Sequence, residues 1–389
     1  MPATGLRFEP EWSILLTACS VGPADDKRTR LRTLLRAPVR WEKLLTLAER
    51  HGTQPLLYDA LQGCGEMAPA GEMRRLQQAY QTNLHKSLLL SRELIRIIRH
   101  LAELRIRVMP YKGLALAETL YGDIALRQTG DIDLLTRPED LGGVREALAA
   151  IGYSQQSKLR EIEENSYVKS GYEHVFRGAA GPNILEVQWA FQPRFYAVDF
   201  DMNGVFERVI RVNVASQSMN TPSHPDQLLT LSVHAAKHVW GRLVWLCDLA
   251  RLMILPGLDW NWIASQAEEL GIVRILGVTM LAASRLLSAE IPAAAQAILA
   301  RDPAASRFAH EVQTYITSDA AFMVESPSYF KLMMRLRERP IDRMRFLSRL
   351  VLTPGPSEWH AVRLPGPLFP LYRLVRFSRL AARMVGASS

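Results

Sequence analysis

The sequence predicts an α+β protein: a small mixed β-sheet flanked by helical regions on its N- and C-terminal sides. Two observations set this class. Apolar residues recur at helical spacing before residue 104 and again after Pro225, most regularly at Leu84, Leu88, Leu89, Ile95 and Ile98. Between them lie short strand-like runs, Ile106–Met109, Asp131–Leu135, Tyr172–Phe176 and Ile184–Trp189. A third observation singles out one run. In Gly130-Asp131-Ile132-Asp133-Leu134-Leu135, two acids stand two residues apart, so an extended chain projects both carboxylates from one face.

The expected division is a helical region over 1–103, a sheet core over 104–215, a helical domain over 216–325 and a basic tail over 326–389. At 389 residues the chain can bury a sizeable core, and 48% hydrophobic with 22% charged residues is ordinary for a folded protein. Cys19, Cys64 and Cys247 are too scattered for a disulfide framework or a zinc site, which points to a reducing compartment. The opening MPATGLRFEPEW lacks the pattern of a secretory signal. The most apolar window, Leu243–Leu255, contains Asp248 and Arg251, so no transmembrane segment is expected. Together these imply a cytoplasmic protein, with a peripheral membrane contact left open by the tail. Twelve Lys and Arg face three acids from Lys331 onward, a net +9 that leaves the first 330 residues at −1.

In order, helices are expected at Trp12–Ala18, after Asp25–Lys27, at Val39–Arg50, Gln54–Leu61 and Gly71–Leu104. His51 beside Gly52 reads as a helix end. After the first strand come Lys112-Gly113 and a helix-like run, Leu114–Leu120, so that a glycine turn and a helix start precede the acidic strand. Pro138, Glu139 and Asp140 mark the start of a helix that Gly152 closes. The Gly181-Pro182 turn introduces a strand in which Glu186 and Gln188 share one face and Leu185, Val187 and Trp189 the other. His174 can face either way. His234 and His238 stand four apart on the helix Asp226–Val239. They read with Asp248 as a hydrogen-bonded cluster at a domain junction, near substrate or purely structural. Trp240, Trp245, Trp260 and Trp262 read as core. Further helices are expected at Leu281–Ala300, broken at Pro292, at Phe308–Met323 and at Lys331–Leu352, interrupted at Pro340. A proline-rich link, Pro354–Pro370, then leads to a last helix, Leu371–Met384, with Arg373, Arg376, Arg379 and Arg383 around Leu374, Phe377 and Leu380. That combination suits an anionic membrane, an RNA backbone or docking on the protein's own acids.

Two carboxylates on one face repel, and a divalent cation relieves the repulsion while leaving room for phosphate oxygens. Asp131 and Asp133 are therefore candidate metal ligands. Glu186 joins them if its strand lies alongside.

The pieces KGLAL (Lys112–Leu116), RQTGDIDLL (Arg127–Leu135), ILEVQW (Ile184–Trp189), LSVHAAKHVWGRLVWLCDLARL (Leu231–Leu252) and LPGPLFPLYRLVR (Leu364–Arg376) resemble the uncharacterised nucleotidyltransferase family of bacterial proteins, within the polymerase-beta-like superfamily. The resemblance implies a nucleotidyltransferase core that holds Mg²⁺ or Mn²⁺ on Asp131, Asp133 and Glu186 and takes a nucleoside triphosphate as substrate. Lys112-Gly113 is similar to the element of toxin-type nucleotidyltransferases. That likeness implies triphosphate contacts from Lys112, Gly113, Arg127 and Gly130, with Gln188, His234, His238 and Asp248 as accessory groups. Lys112-Gly113 stands about eighteen residues before Asp131, farther than is usual in the superfamily, and Gln188 replaces a frequent His. The acceptor is open between RNA, protein and a small molecule. The competing class is a non-catalytic member that binds or assembles partners.

Overall fold

In the computed structural model, residues 8–178, 184–318 and 326–386 are described. Four helices open the chain: α1 (Pro10–Cys19), α2 (Ala24–Leu34), α3 (Trp41–Arg50) and α4 (Gln54–Gln62). The 34-residue α5 (Ala70–Glu103) then delivers the chain to the sheet. Helix α5 packs Leu90, Leu94, Ile97 and Leu101 against that sheet; of the apolar residues its periodicity singled out, Ile95 and Ile98 are partly buried beside them, whereas Leu88 and Leu89 are exposed.

The sheet has five strands in the order β1 (Val108–Pro110), β2 (Ile132–Thr136), β5 (Ile184–Gln188), β4 (Glu173–Gly178) and β3 (Tyr153–Gln155). Strands β2 and β5 run parallel at its centre, and the other neighbouring pairs are antiparallel. This is the mixed sheet expected. Helix α6 (Gly113–Leu116) continues as a wider turn through Ala117–Tyr121, and α7 (Leu141–Ala150) and α8 (Glu161–Ser170) follow β2 and β3. One face of the sheet, carrying Ile132, Leu134, Leu185, Val187 and Trp189, is buried against α5 and α7. The other face carries the acids. Strand β3 and helix α8 were not expected, and the Gly181-Pro182 turn lies outside the described residues.

After α9 (Met202–Glu207), strands β6 (Val209–Val214) and β7 (Gln217–Pro222) form a separate hairpin. The expected core boundary at 215 falls inside this one element. Thr221 ties the hairpin to β1 by donating to the Pro110 carbonyl at 2.8 Å. Its two-residue turn, Ala215-Ser216, has φ of 46° and 66° without the Gly or Asn that normally signals such a turn, so the sequence concealed it.

The remaining helices are α10 (His224–Lys237), α11 (Leu243–Met253), α12 (Trp260–Leu270), α13 (Val273–Leu287), α14 (Ala293–Arg301), α15 (Ala305–Ile316), α16 (Pro327–Arg335), α17 (Pro340–Leu352), α18 (Pro356–Ala361) and α19 (Tyr372–Gly386). Pro340 starts a helix rather than breaking one, as suits a residue with no N–H. The helix expected to reach Met323 is described only as far as Ile316, and residues 319–325 lie outside the described residues. The proline-rich link contains α18 and a 3₁₀ turn at Gly366–Leu371. The N- and C-terminal helices are one body: Trp12, Leu15, Leu44 and Leu57 share a buried cluster with Leu228, Leu246, Leu276 and Phe346. Trp240 and Trp260 belong to that core, with Trp245 and Trp262 packed on it. His51 caps α3 and is buried, its Nδ1 accepting from the Leu243 N–H at 3.2 Å, which joins the two halves. All three cysteines are buried and free. Among the described residues, no helix is long and apolar enough to cross a membrane.

The left-handed turn gives a direct test. Replacing Ala215→Asn together with Ser216→Gly places the residue types that best tolerate positive φ at both turn positions, and should raise the unfolding free energy in urea titration by about 1 kcal/mol.

Candidate functional site

Parallel pairing of β2 and β5 brings Asp133 opposite Glu186 on the sheet face that no helix of the sheet core covers. Asp131 sits one residue before β2 rather than within it, half-buried. The antiparallel partner β4 adds a fourth acid that sequence reasoning missed: Glu173 lies opposite Gln188 on the same face. The available signal was alternation, because His174 and Phe176 are the buried residues of that strand. His174 faces the other side, bonded to Glu164 at 2.8 Å and packed on the Trp189 ring.

Gln188 stands at the centre of the acids. Its Nε2 donates to Asp133 Oδ1 at 3.0 Å, Glu186 Oε2 at 3.2 Å and Glu173 Oε2 at 3.4 Å. Its Oε1 is buried with no partner. Lys112 supplies the compensating charge, with Nζ 3.5 Å from Asp133 Oδ1 and 4.9 Å from the centre of the Tyr111 ring. It is held there by backbone strain: Lys112 has φ of 62°, a conformation that costs energy for any residue with a Cβ. Gly113 follows at φ of 38°, and a Cβ there would meet Thr129 Cγ2 at 3.3 Å. Gly113 is thus favoured by its positive φ, with the close Thr129 methyl a secondary constraint. Gly130 is not: it is exposed, its φ is not positive and an added Cβ would meet nothing.

Helix α10 contributes a second cation, Lys237. It is buried, donates to the Tyr172 hydroxyl at 3.3 Å and lies over that ring. A lysine on a helix otherwise buried through Leu and Ala was the sequence signal for it.

The charges shift one another. Burial, opposed by Lys112 and reinforced by Asp131 and Glu186, pushes the Asp133 carboxyl up to about 7. Burial also raises Glu186, with Glu173 and Asp131 adding to the effect. Burial alone would pull Lys112 down, but the Asp133 carboxylate and its neighbours reverse this and raise it. Burial, with Lys112 nearby, lowers Lys237 to about 8.

The expected phosphate contact Arg127 and three of the expected accessory groups, Asp248, His234 and His238, are placed differently. Arg127 is buried and bonded to Asp248 on both sides of its guanidinium, Nε to Oδ1 at 3.0 Å and Nη2 to Oδ2 at 2.9 Å. Its Nη1 donates to the Gly113 carbonyl at 3.4 Å, and Tyr121 donates to Asp248 at 2.7 Å. The guanidinium is therefore committed to holding the Lys112-Gly113 turn, not turned outward as a phosphate clamp. Asp248 serves Arg127 and Tyr121, not the histidines. His234 and His238 have ring centres 4.9 Å apart and both pack against Trp245. Burial and the charges of Lys237 and Lys112 lower both, His238 to about 3, so the pair is neutral. Among the described residues, no three His, Cys, Asp or Glu side chains are placed to hold a metal ion.

A family model described as uncharacterised nucleotidyltransferase matches residues 37–288, well over half of the chain. The match is to the family as a whole and carries nothing of the toxin-type likeness. No curated protein and no solved structure matches the chain.

Two outcomes follow from the buried charges. Asp248→Asn strands a buried guanidinium and should cost about 3–5 kcal/mol in chemical denaturation, whereas Arg127→Met with Asp248→Leu should cost less than that single change. Asp133 titrates at about 7 when folded against an ordinary 3.8. Its proton favours the fold completely below about pH 4, and this contribution is lost as the pH rises through about 7. In metal-free buffer the melting temperature of the wild type should fall relative to Asp133→Asn between those pH values; parallel curves would contradict the shift.

Proposed function

Since the chain belongs to the uncharacterised nucleotidyltransferase family, we propose that it transfers a nucleoside monophosphate from a nucleoside triphosphate to an acceptor, using the acidic face of β2 and β5. The observation that carries this reading is the register of Asp133 with Glu186, flanked by Asp131 and overlooked by Lys112 and Lys237. The donor set is all carboxylate, which suits Mg²⁺ or Mn²⁺, and burial raises Asp133 and Glu186 while the nearby Lys112 charge opposes it, the direction in which a bound cation would also act. As they stand the three acids are not gathered into a metal cluster, because the Gln188 amide bridges Asp133 and Glu186. With that amide displaced, Asp131, Asp133 and Glu186 would hold the metal, which when bound supplies positive charge against the triphosphate and the departing pyrophosphate.

The residues of the chain divide the remaining work. An acceptor oxygen bonds to the α-phosphorus as the bond from that phosphorus to the bridging oxygen of the β-phosphate breaks, and pyrophosphate leaves. Glu186, raised by its surroundings, takes the acceptor's proton. Lys112 and Lys237 pair with the outer phosphates. Gln188 keeps the Asp133 and Glu186 carboxylates aligned through its bridging amide. Arg127 acts at one remove, by fixing the turn that carries Lys112.

The same Gln188 amide favours a second reading. It gives three carboxylates a donor without any cation, an arrangement that a non-catalytic binding or assembly member would keep. Acceptor chemistry stays open between RNA, protein and a small molecule.

The test is Mg²⁺-dependent release of pyrophosphate from labelled ATP, CTP, GTP or UTP in the presence of cell lysate as acceptor source. Asp131→Asn and Asp133→Asn should each lower it at least about 1000-fold, and Lys237→Ala about 10- to 100-fold. Undiminished turnover in the folded double aspartate variant would exclude this site. Failure of every Mg-triphosphate to raise the wild-type melting temperature would favour the non-catalytic reading.

A further inference from the structure

The C-terminal segment turns its cations inward and its apolar side chains outward. Nine of the fourteen exposed large hydrophobic residues among those described lie between Ile341 and Phe377. On α19, Leu374 and Phe377 are 65% and 59% exposed. The arginines beside them are engaged elsewhere: Arg376 donates to the Leu350 carbonyl and pairs with buried Glu358 at 3.1 Å, and Arg379 lies 3.7 Å from the same carboxylate. On α17, Arg345 and Arg349 pair with Asp342 and Asp199 while Ile341 and Met344 face solvent. A water-facing surface of this kind is costly unless something covers it.

Next to it, α8, α17 and the start of α19 enclose a cavity of about 520 Å³. Lys169, Arg194, Arg349 and Arg373 line it, with no carboxylate among the lining residues. An adjoining cavity of about 380 Å³ shares the first three and contains Gln192 and Asp199, whose carboxylate pairs with Arg349 and leaves Lys169, Arg194 and Arg373 as the cations open to a ligand. The Gln192 side chain is buried, and neither its amide nitrogen nor its oxygen has a partner. Arg373 lies four residues before Phe377, so cavity and apolar face meet on one side of α19.

We propose that this face docks on an anionic phospholipid surface, with the cationic cavity taking phosphate headgroups while Leu371, Leu374 and Phe377 enter the apolar boundary. Charge decides the occupant. The segment from Lys331 onward carries a net +9, and anionic headgroups complement it. A polynucleotide would engage the cations but leave the aliphatic surface uncovered. A second copy meeting the same face would bring like charges together. The proposal does not depend on the nucleotidyl-transfer reading.

Vesicle flotation of the full chain tests it, using phosphatidylcholine with and without phosphatidylglycerol. Binding should require phosphatidylglycerol and weaken with salt. Leu374→Glu with Phe377→Glu should reduce it at least about tenfold, and Arg194→Ala with Arg373→Ala also about tenfold, with melting temperatures unchanged. Any one of four results would overturn the proposal: no binding to phosphatidylglycerol vesicles, full binding by the Leu374/Phe377 variant, tighter binding of a single-stranded RNA oligonucleotide than of vesicles, or conversion of an oligomer to a monomer by the Leu374/Phe377 variant.

Discussion

A buried carboxylate on a central strand must be neutralised, and Asp133 sets the terms for everything around it. Lys112 reaches it from a backbone conformation that residues with a Cβ avoid. That conformation persists because Arg127 holds the Gly113 carbonyl and is itself locked by Asp248 on α11. The acidic face thus depends on a chain of contacts running through the helical body. The family match likewise spans both sheet and helices.

The chemistry of the site was legible where it is local. Alternation along a strand put Asp131 with Asp133 and Glu186 with Gln188; the structure keeps Glu186 and Gln188 on one face of β5, while Asp131 stands one residue before β2, near Asp133. Register was not legible. Nothing in the sequence near Glu186 says that it sits opposite Asp133, because pairing between strands about fifty residues apart is decided by packing. Arg127 shows the same limit. A free arginine near two acids reads as a phosphate ligand until its partner, 121 residues later, is known. Glu173 was not legible because His174 could face either way from the sequence, and only pairing with β5 puts Glu173 beside Gln188.

Fold class was legible from periodicity, and the helix start at Pro138 from proline placement, while Pro340 read as an interruption and proves to begin a helix of its own. The hairpin at 209–222 was hidden by an Ala-Ser turn, which lacks the residues that make a left-handed turn cheap. Which face of the tail turns inward was left open by the sequence, and its arginines Arg349, Arg376 and Arg379 prove to pair with the protein's own acids. Helical spacing gives the two faces, but which one turns inward depends on the buried Glu358, an acid that binds arginines.

The most direct measurement is a crystal structure with Mn²⁺ and a non-hydrolysable nucleoside triphosphate, read by anomalous scattering. The account predicts manganese between Asp131, Asp133 and Glu186, with the Gln188 amide displaced from at least one carboxylate and the outer phosphates near Lys112 and Lys237. Manganese bound elsewhere, or a nucleotide that leaves the acidic face untouched, would contradict it.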